Sequence, residues 1–482
     1  MVPHSQVEPI GDVLKSLTIE PAPANAVWHP AARSIAVNAG PVGVEAAVLK
    51  EFRMQLGLPR DIPVILSGHQ PGFWHAGILA KLFAVAAACE RAKAFPAWVV
   101  VDHDPASPLG VRYPVTASES SSIEFRDPLQ AATAPSALPV WHGSALPPVP
   151  LGGPCGAAAE RVLKAMGAEA GESKNLADQV TRVAAALLAA GGLPDGPMRN
   201  AFDATRIGGT ELFRALCERW KDCQAAKACV AAYNRAVARF PKAEIRPLLL
   251  SETDVELPIW RLKREGQRQR VMWSELRVEG AMGAGDQLVP KALFMTLLLR
   301  LAGCDLFVHG LGGGNYDRVM EAWAAAWMPG VELAPSAVVS ATLLLEVPGL
   351  IDPAGPLRAD RAAWVAQAAR HHPSRLGDAD ASRLKKAALH EIGAAQGRQA
   401  RRDAYRRMQA QLVEFRAAHA AELEALGVDA QRLRAGAKAQ PIATDRTWPW
   451  MLHPEASIKA LNASVIAAFG EGVQAAKTAS PG

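Results

Sequence analysis

The chain alternates short apolar runs that stop at glycine or aspartate with longer stretches in which apolar residues recur every three or four positions. Ala46–Leu56 has helical spacing and leads into Ile62-Pro63-Val64-Ile65-Leu66-Ser67, a β-branched run closed by Gly68, so a helix followed by a buried strand is predicted. An amphipathic helix follows over His75–Cys89 and ends before Pro96. Trp98-Val99-Val100-Val101-Asp102 then reads as a second buried strand, polar only at its carboxyl end. Strand, helix and strand within about 45 residues make a βαβ unit, which implies parallel pairing and a right-handed crossover.

Pro105 to Pro154 is rich in Pro, Ser and Ala with little periodicity, as in an irregular insertion or lid. Helical patterns resume at Ala157–Met166, Leu176–Ala190 and Thr210–Phe240, and strands are predicted at Pro247–Ser251, around Val271–Trp273, at Asp305–His309 and at Ser336–Val347. Glu256-Leu257-Pro258-Ile259-Trp260 reads as an edge strand, because proline cannot donate to a ladder. Ser382–Gly427 is almost free of strand formers and sets Tyr405, Met408, Leu412 and Phe415 at coiled-coil spacing, so a helical hairpin or arm is predicted. That stripe is expected to be buried against another helix of the chain or in a homodimer through the arm. An amphipathic helix packed on the core accounts for it equally well. The expected organisation is an α/β fold: 1–104 the first half of a parallel core, 105–245 an irregular and helical insertion, 246–355 the second half, 356–440 the coiled-coil arm. The last segment, 441–482, is expected to pack on the core through Trp448-Pro449-Trp450-Met451-Leu452.

Composition narrows the class. With 50% apolar and 21% charged residues over 482 positions, the chain is not disordered as a whole. A formal charge of +5 is small for this length and its basic residues are scattered, so nucleic acid is not the expected partner. The amino terminus lacks a secretory pattern, and the longest apolar stretches are too short to cross a bilayer, so a cytoplasmic protein with no membrane partner is expected. The six cysteines read as reduced core residues, and Cys217, Cys223 and Cys229 recur at a step that cannot bring them to one metal.

Three polar segments at predicted strand ends carry the candidate chemistry. Gly68-His69-Gln70-Pro71-Gly72, continued to His75 and Gly77, places two histidines beside a helix amino terminus, where free N–H groups favour an anion such as phosphate. The alternative is that the histidines cap the helix or bond within the core. Asp102-His103-Asp104 follows the second strand on the same sheet edge, so His69, His75, His103 and the aspartates are expected to converge; such a cluster could bind a divalent metal, orient a ribose or run acid–base chemistry. No metal ligands are assigned, since no paired motif such as H-E-x-x-H fixes a geometry. His309 and the glycine-rich Gly310–Asp317, with Gly312, Gly313, Gly314, Asn315 and Asp317, read as a strand-to-helix loop able to approach a ligand, or as a plain turn.

On these motifs the chain resembles the bacillithiol synthase family of cysteine-adding ligases: a Gly-x-Gln-Pro/Ala-Gly junction, an Asp-His-Asp after the next strand, a late glycine-rich loop and a helical arm. The resemblance implies a Rossmann-like nucleotidyltransferase-type core with helical insertions, and ATP or ADP with magnesium near the first junction. His75-Ala76-Gly77-Ile78 resembles the His-x-Gly-His signature of class I nucleotidyltransferases, with Ile78 in place of the last histidine. The implied enzyme joins an amino acid or other carboxylate to an amine. Gly68, His69, Gln70, Gly72 and Gly77 would hold the nucleotide; His75, Asp102 and Asp104 would act in catalysis; His103, His309, Gly312, Gly313, Gly314, Asn315 and Asp317 would bind the small-molecule substrate. A binding scaffold that keeps the cleft, and a metal-dependent hydrolase, are the alternatives.

Overall fold

The computed structural model describes residues 14–21, 33–114, 120–143, 153–276, 282–345, 355–438 and 445–478. Its strands are β1 (Leu14–Glu20), β2 (Val64–His69), β3 (Phe95–Val100), β4 (Gly110–Pro114), β5 (Ser120–Glu124), β6 (Ala201–Asp203), β7 (Glu256–Leu262), β8 (Arg268–Met272), β9 (Gln287–Pro290), β10 (Leu306–His309) and β11 (Ser336–Leu343). The fold is mixed α/β around a six-stranded sheet ordered β1-β11-β10-β2-β3-β6. All neighbours in it are parallel except β1, which pairs antiparallel with β11 at one edge. Counted along the chain, the parallel strands β2, β3, β6, β10 and β11 therefore lie in the spatial order 5-4-1-2-3. After β2 the chain moves one way across the sheet, and after β10 it moves the other.

Period-two alternation decides which side chains go to which face. Val64, Leu66, Ala97, Val99 and Phe307 join a core with Leu49, Phe52, Phe294 and Trp323. Ile65, Trp98, Leu306 and Val308, equally buried, take the opposite face, over which the helix Ala76–Ala92 runs against β2, β3, β10 and β11. The helix Glu455–Thr478 packs in turn on Ala76–Ala92, and Trp448, Trp450, Met451 and Leu452 are buried just before it. At the amino ends of β2 and β10, Asp305 accepts from the Val64 and Arg33 N–H groups at 2.8 Å each and from Arg53 Nη2 at 2.9 Å, a buried staple across the sheet.

Several expectations change. β6 falls inside the segment read as an insertion and is a strand of the central sheet. No strand forms at Pro247–Ser251, where only Leu250 makes an isolated bridge, to Val255. β7 is the middle strand of the antiparallel sheet β8-β7-β9, not an edge; Pro258 is tolerated because the β7–β8 register breaks between Glu256 and Trp260.

The chain divides into two compact units, the larger made of Asp12–Tyr113, Ser121–Leu344 and Arg446–Gly482. In the smaller, the helices Ala379–Ala394 and Arg398–Ala418 form a hairpin, and Gly355–Ala369 packs along Ala420–Lys438. Met408, Leu412 and Phe415 are buried against Ala388 within that hairpin. Tyr405 is 52% exposed, and Ala404, one turn before Met408, takes the inward position instead. Among the described residues no helix is long and apolar enough to cross a membrane.

Candidate functional site

β2 and β10 are neighbours whose chains leave in opposite directions, and this divergence opens a crevice at their carboxyl ends, the usual ligand position in open α/β sheets. A cavity of about 420 Å³ fills it. From the first junction Gly68, His69, Gln70, His75 and Gly77 line it; from the second segment only Asp104; from the third His309, Gly312, Gly313 and Asp317. Lys81, Thr296, Tyr316, Ser340 and Arg446 line it too, none of them singled out from the sequence.

The first junction is a locked turn. The Gln70 carbonyl accepts from Trp74 Nε1 at 2.8 Å, and the Trp74 carbonyl accepts from the Trp450 N–H at 2.7 Å. His75 caps the helix Ala76–Ala92, its Nδ1 accepting from the Gly77 N–H at 3.0 Å. In the neutral ring this puts the proton on Nε2. His69 has the other tautomer: its Nδ1 lies 3.3 Å from the Gln70 carbonyl, which can only accept, so Nε2 is the acceptor. Burial, with a smaller push from the Lys81 charge, holds the His69 pKa down to about 3, so the ring is neutral at physiological pH. Gly77 lets the helix start abut β11, since a Cβ there would lie 2.9 Å from Ser340 Oγ.

Lys81 is the buried lysine of this site, which exposed Arg446 also lines. It is 5% exposed, its Nζ donates to the Gly68 carbonyl at 2.7 Å, and it lies 5.2 Å from the centre of the Trp98 ring. No ion pair to it occurs among the described residues. Burial alone lowers its pKa from the ordinary 10.5 to about 7. A signal for it exists in the sequence: Lys81 is the single charged residue of Ala76–Cys89.

The third segment corrects an expectation. Gly312–Asp317 is not a loop but the first two turns of the helix Leu311–Trp327, which begins at Gly310 with no side-chain cap. Its glycines are there for close packing. A Cβ on Gly313 would lie 2.5 Å from His309 Nδ1, and one on Gly314 would lie 2.6 Å from Val338 Cγ2, whereas Gly312 has open space. Gly314 and Asn315 do not line the cavity. Asp317, one turn further on, lies 3.0 Å from His309 Nε2 and 3.0 Å from Arg300 Nη1. Burial pushes its carboxyl up, but His309 and then Arg300 outweigh this and hold it below the usual range. Arg300 comes from the π-helical turn Leu299–Gly303, and its Nε donates to the Ala334 carbonyl at 2.7 Å. His309 is thus oriented by a buried carboxylate that is itself held by arginine.

Asp102 and His103 do not join the cluster. Asp102, 1% exposed, accepts from the Thr205 N–H at 3.0 Å and Oγ1 at 2.6 Å, beyond β6 and away from the cavity. Burial, then the Asp203 charge, raises its pKa to about 7 against these two donors. His103 is 2% exposed outside the cavity, and burial lowers its pKa to about 4. Asp104 alone reaches in, with Gln70 Nε2 at 3.1 Å and Arg268 Nη2 at 2.8 Å. Gly72 is also outside: a Cβ there would meet Pro108 at 2.7 Å, so this glycine serves packing and not ligand approach. The chain turns at Asp102-His103 as it leaves β3, so the three side chains diverge, which a sequence motif read as one cluster does not resolve.

Both carboxylates that line the cavity, Asp104 and Asp317, already have cationic partners, while Lys81 has none among the described residues. The balance is a buried lysine without a carboxylate, with Arg446 also in the lining, beside an uncapped helix amino terminus. Among the described residues no group of three His, Cys, Asp or Glu side chains is placed to hold a metal ion. No protein-family model matches the chain, and no curated protein is significantly similar to it.

Proposed function

We propose that this cavity binds the phosphate of a nucleotide, and that the chain is a ligase-like enzyme joining a carboxylate, an amino acid among the candidates, to an amine. The observation that carries the anion is Lys81, a buried lysine without a carboxylate, next to the open start of the helix Leu311–Trp327. The 5-4-1-2-3 strand order matches that of Rossmann-type nucleotide-binding sheets and supports a Rossmann-like core. The nucleotidyltransferase-type assignment and the ligase chemistry rest on the motif resemblance to bacillithiol synthases.

In this reading the Lys81 ammonium and the N–H groups at Gly312 and Gly313 neutralise charge on the transferred phosphoryl or adenylyl group, and His75 donates from Nε2. His309, fixed by Asp317, hydrogen-bonds the substrate, and Asp104 accepts from the amine. Positioning and charge stabilisation are most of what phosphoryl transfer asks of a protein. Magnesium fits as an ion carried on the phosphates, because Asp104 and Asp317 are already paired.

Calorimetry with ADP and ATP plus magnesium tests the site. Binding is expected in the wild type, and Lys81→Met is expected to weaken it by about tenfold or more, since a charged hydrogen bond is worth about 1.5–3 kcal/mol. Wild-type protein that binds no nucleotide at millimolar concentration overturns the reading. Nucleotide turnover that depends on added carboxylate and amine tests the ligase step.

A further inference from the structure

We propose that Lys81 takes up a proton when a phosphate-bearing ligand enters the cavity, so that the site loses affinity as the pH rises above neutrality. This rests on the anion-binding reading and deepens it by coupling occupancy to pH. The chain itself gives the ammonium little: one carbonyl, from Gly68, and one ring face, from Trp98. Its hydration is lost without a counter-ion, so the neutral amine is favoured.

The groups around it do not replace the missing charge. From β2 comes neutral His69, from β10 His309, and at the helix start His75, none of them an anion. β11 contributes Ser340, β3 only the Trp98 ring, and Arg446, which also lines the cavity, is a second cation and no counter-charge. Asp317 is taken by His309 and Arg300, and Asp104 by Arg268 and Gln70. On the other elements packed against this helix, Glu455 is paired with Lys459 and Asp195 with Arg199. The positive end of the helix Leu311–Trp327 adds to the burden, as a Cβ on Gly310 would lie 3.7 Å from Lys81 Cδ. With protein groups alone around it, the Lys81 pKa is about 7. A phosphate dianion supplies the absent counter-charge and returns the pKa toward its ordinary value, which requires one proton from solvent.

The test is calorimetric titration with ADP and magnesium at pH 8, where a phosphate with a second pKa of about 6 is already ionised. Two buffers of different ionisation heat give the number of protons bound. Close to one proton per ADP is expected, with Kd rising about tenfold from pH 8 to pH 9. Lys81→Arg, charged at every pH used, is expected to bind with near-zero uptake. If the larger arginine disturbs folding, Lys81→Met is expected to bind more weakly, also without uptake. Wild-type binding with no proton uptake and a flat Kd overturns this inference alone. Uptake that persists in both variants assigns the proton to a histidine and also overturns it. Absence of wild-type binding removes this inference and the anion site together.

Discussion

Lys81 and Asp102 show how burial acts in opposite directions on opposite charges and brings both groups to about 7. For Lys81 the unfolded chain holds the proton up to about 10.5 while the folded chain by itself releases it near 7, so folded stability gained from this residue rises with pH across that window. Its limiting slope is about 1.4 kcal/mol per pH unit. For Asp102 the order reverses. The folded carboxyl keeps its proton to about 7 after the unfolded one has lost it near 3.8, so its contribution to stability falls as pH rises between those values. Asp102→Asn is therefore expected to flatten the stability profile between pH 4 and 7, followed by urea unfolding, and to leave ADP affinity unchanged because Thr205, not ligand, is its partner. A large loss of ADP affinity in a folded Asp102→Asn variant would return Asp102 to the site.

At the scale of elements, the start of the helix Leu311–Trp327 makes the sharpest contrast. Three consecutive glycines are poor helix formers, each costing about 1 kcal/mol relative to alanine. Gly312→Ala meets open space and is expected to raise stability by up to about 1 kcal/mol in thermal unfolding. Gly313→Ala drives a methyl into the His309 ring and is expected to lower stability and to disturb the His309–Asp317 contact, read as displaced His309 ring resonances by NMR. Equal effects of the two substitutions would remove the packing explanation. In the arm, Leu412→Asp buries an unpaired carboxylate between the helices Ala379–Ala394 and Arg398–Ala418 and is expected to melt that hairpin, whereas Tyr405→Asp, at an exposed position, is expected to be tolerated; circular dichroism separates them.

Across the larger unit, the two ends of the parallel sheet do different work. At the amino ends of β2 and β10 both carboxylate oxygens of Asp305 are occupied by donors of this chain, which leaves neither for a ligand. At the carboxyl ends the same two strands diverge and leave a cavity with an unmatched cation. Asp305→Ala strands Arg53 without its carboxylate and is expected to cost about 3–5 kcal/mol in denaturant unfolding. ADP affinity of the remaining folded protein is expected to be unchanged, because the substitution is at the opposite end of the strands.

Periodicity and glycine punctuation alone determined β2, β3, β10, β11, the helix between β2 and β3, and the helical character of the arm, because each buries its own apolar residues in a local repeat. They also marked the two junctions that line the cavity, at His69–Gly77 and at His309. Only the tertiary structure decided the rest. β6 has three residues and β1 none that is fully buried and no strict alternation, so their place in the sheet is set by partners and not by pattern. The glycines at 312–314 read as a loop because propensity counts backbone cost and is blind to the His309 ring and Val338 that reward a missing side chain. Asp102 and Asp104, two positions apart and so on one face had the strand continued, separate because the chain turns after β3, sending one toward Thr205 and the other toward Gln70. Lys81 was visible as a lone charge, but its lack of a counter-ion depends on residues more than two hundred positions away in the chain, where Asp317 already has Arg300.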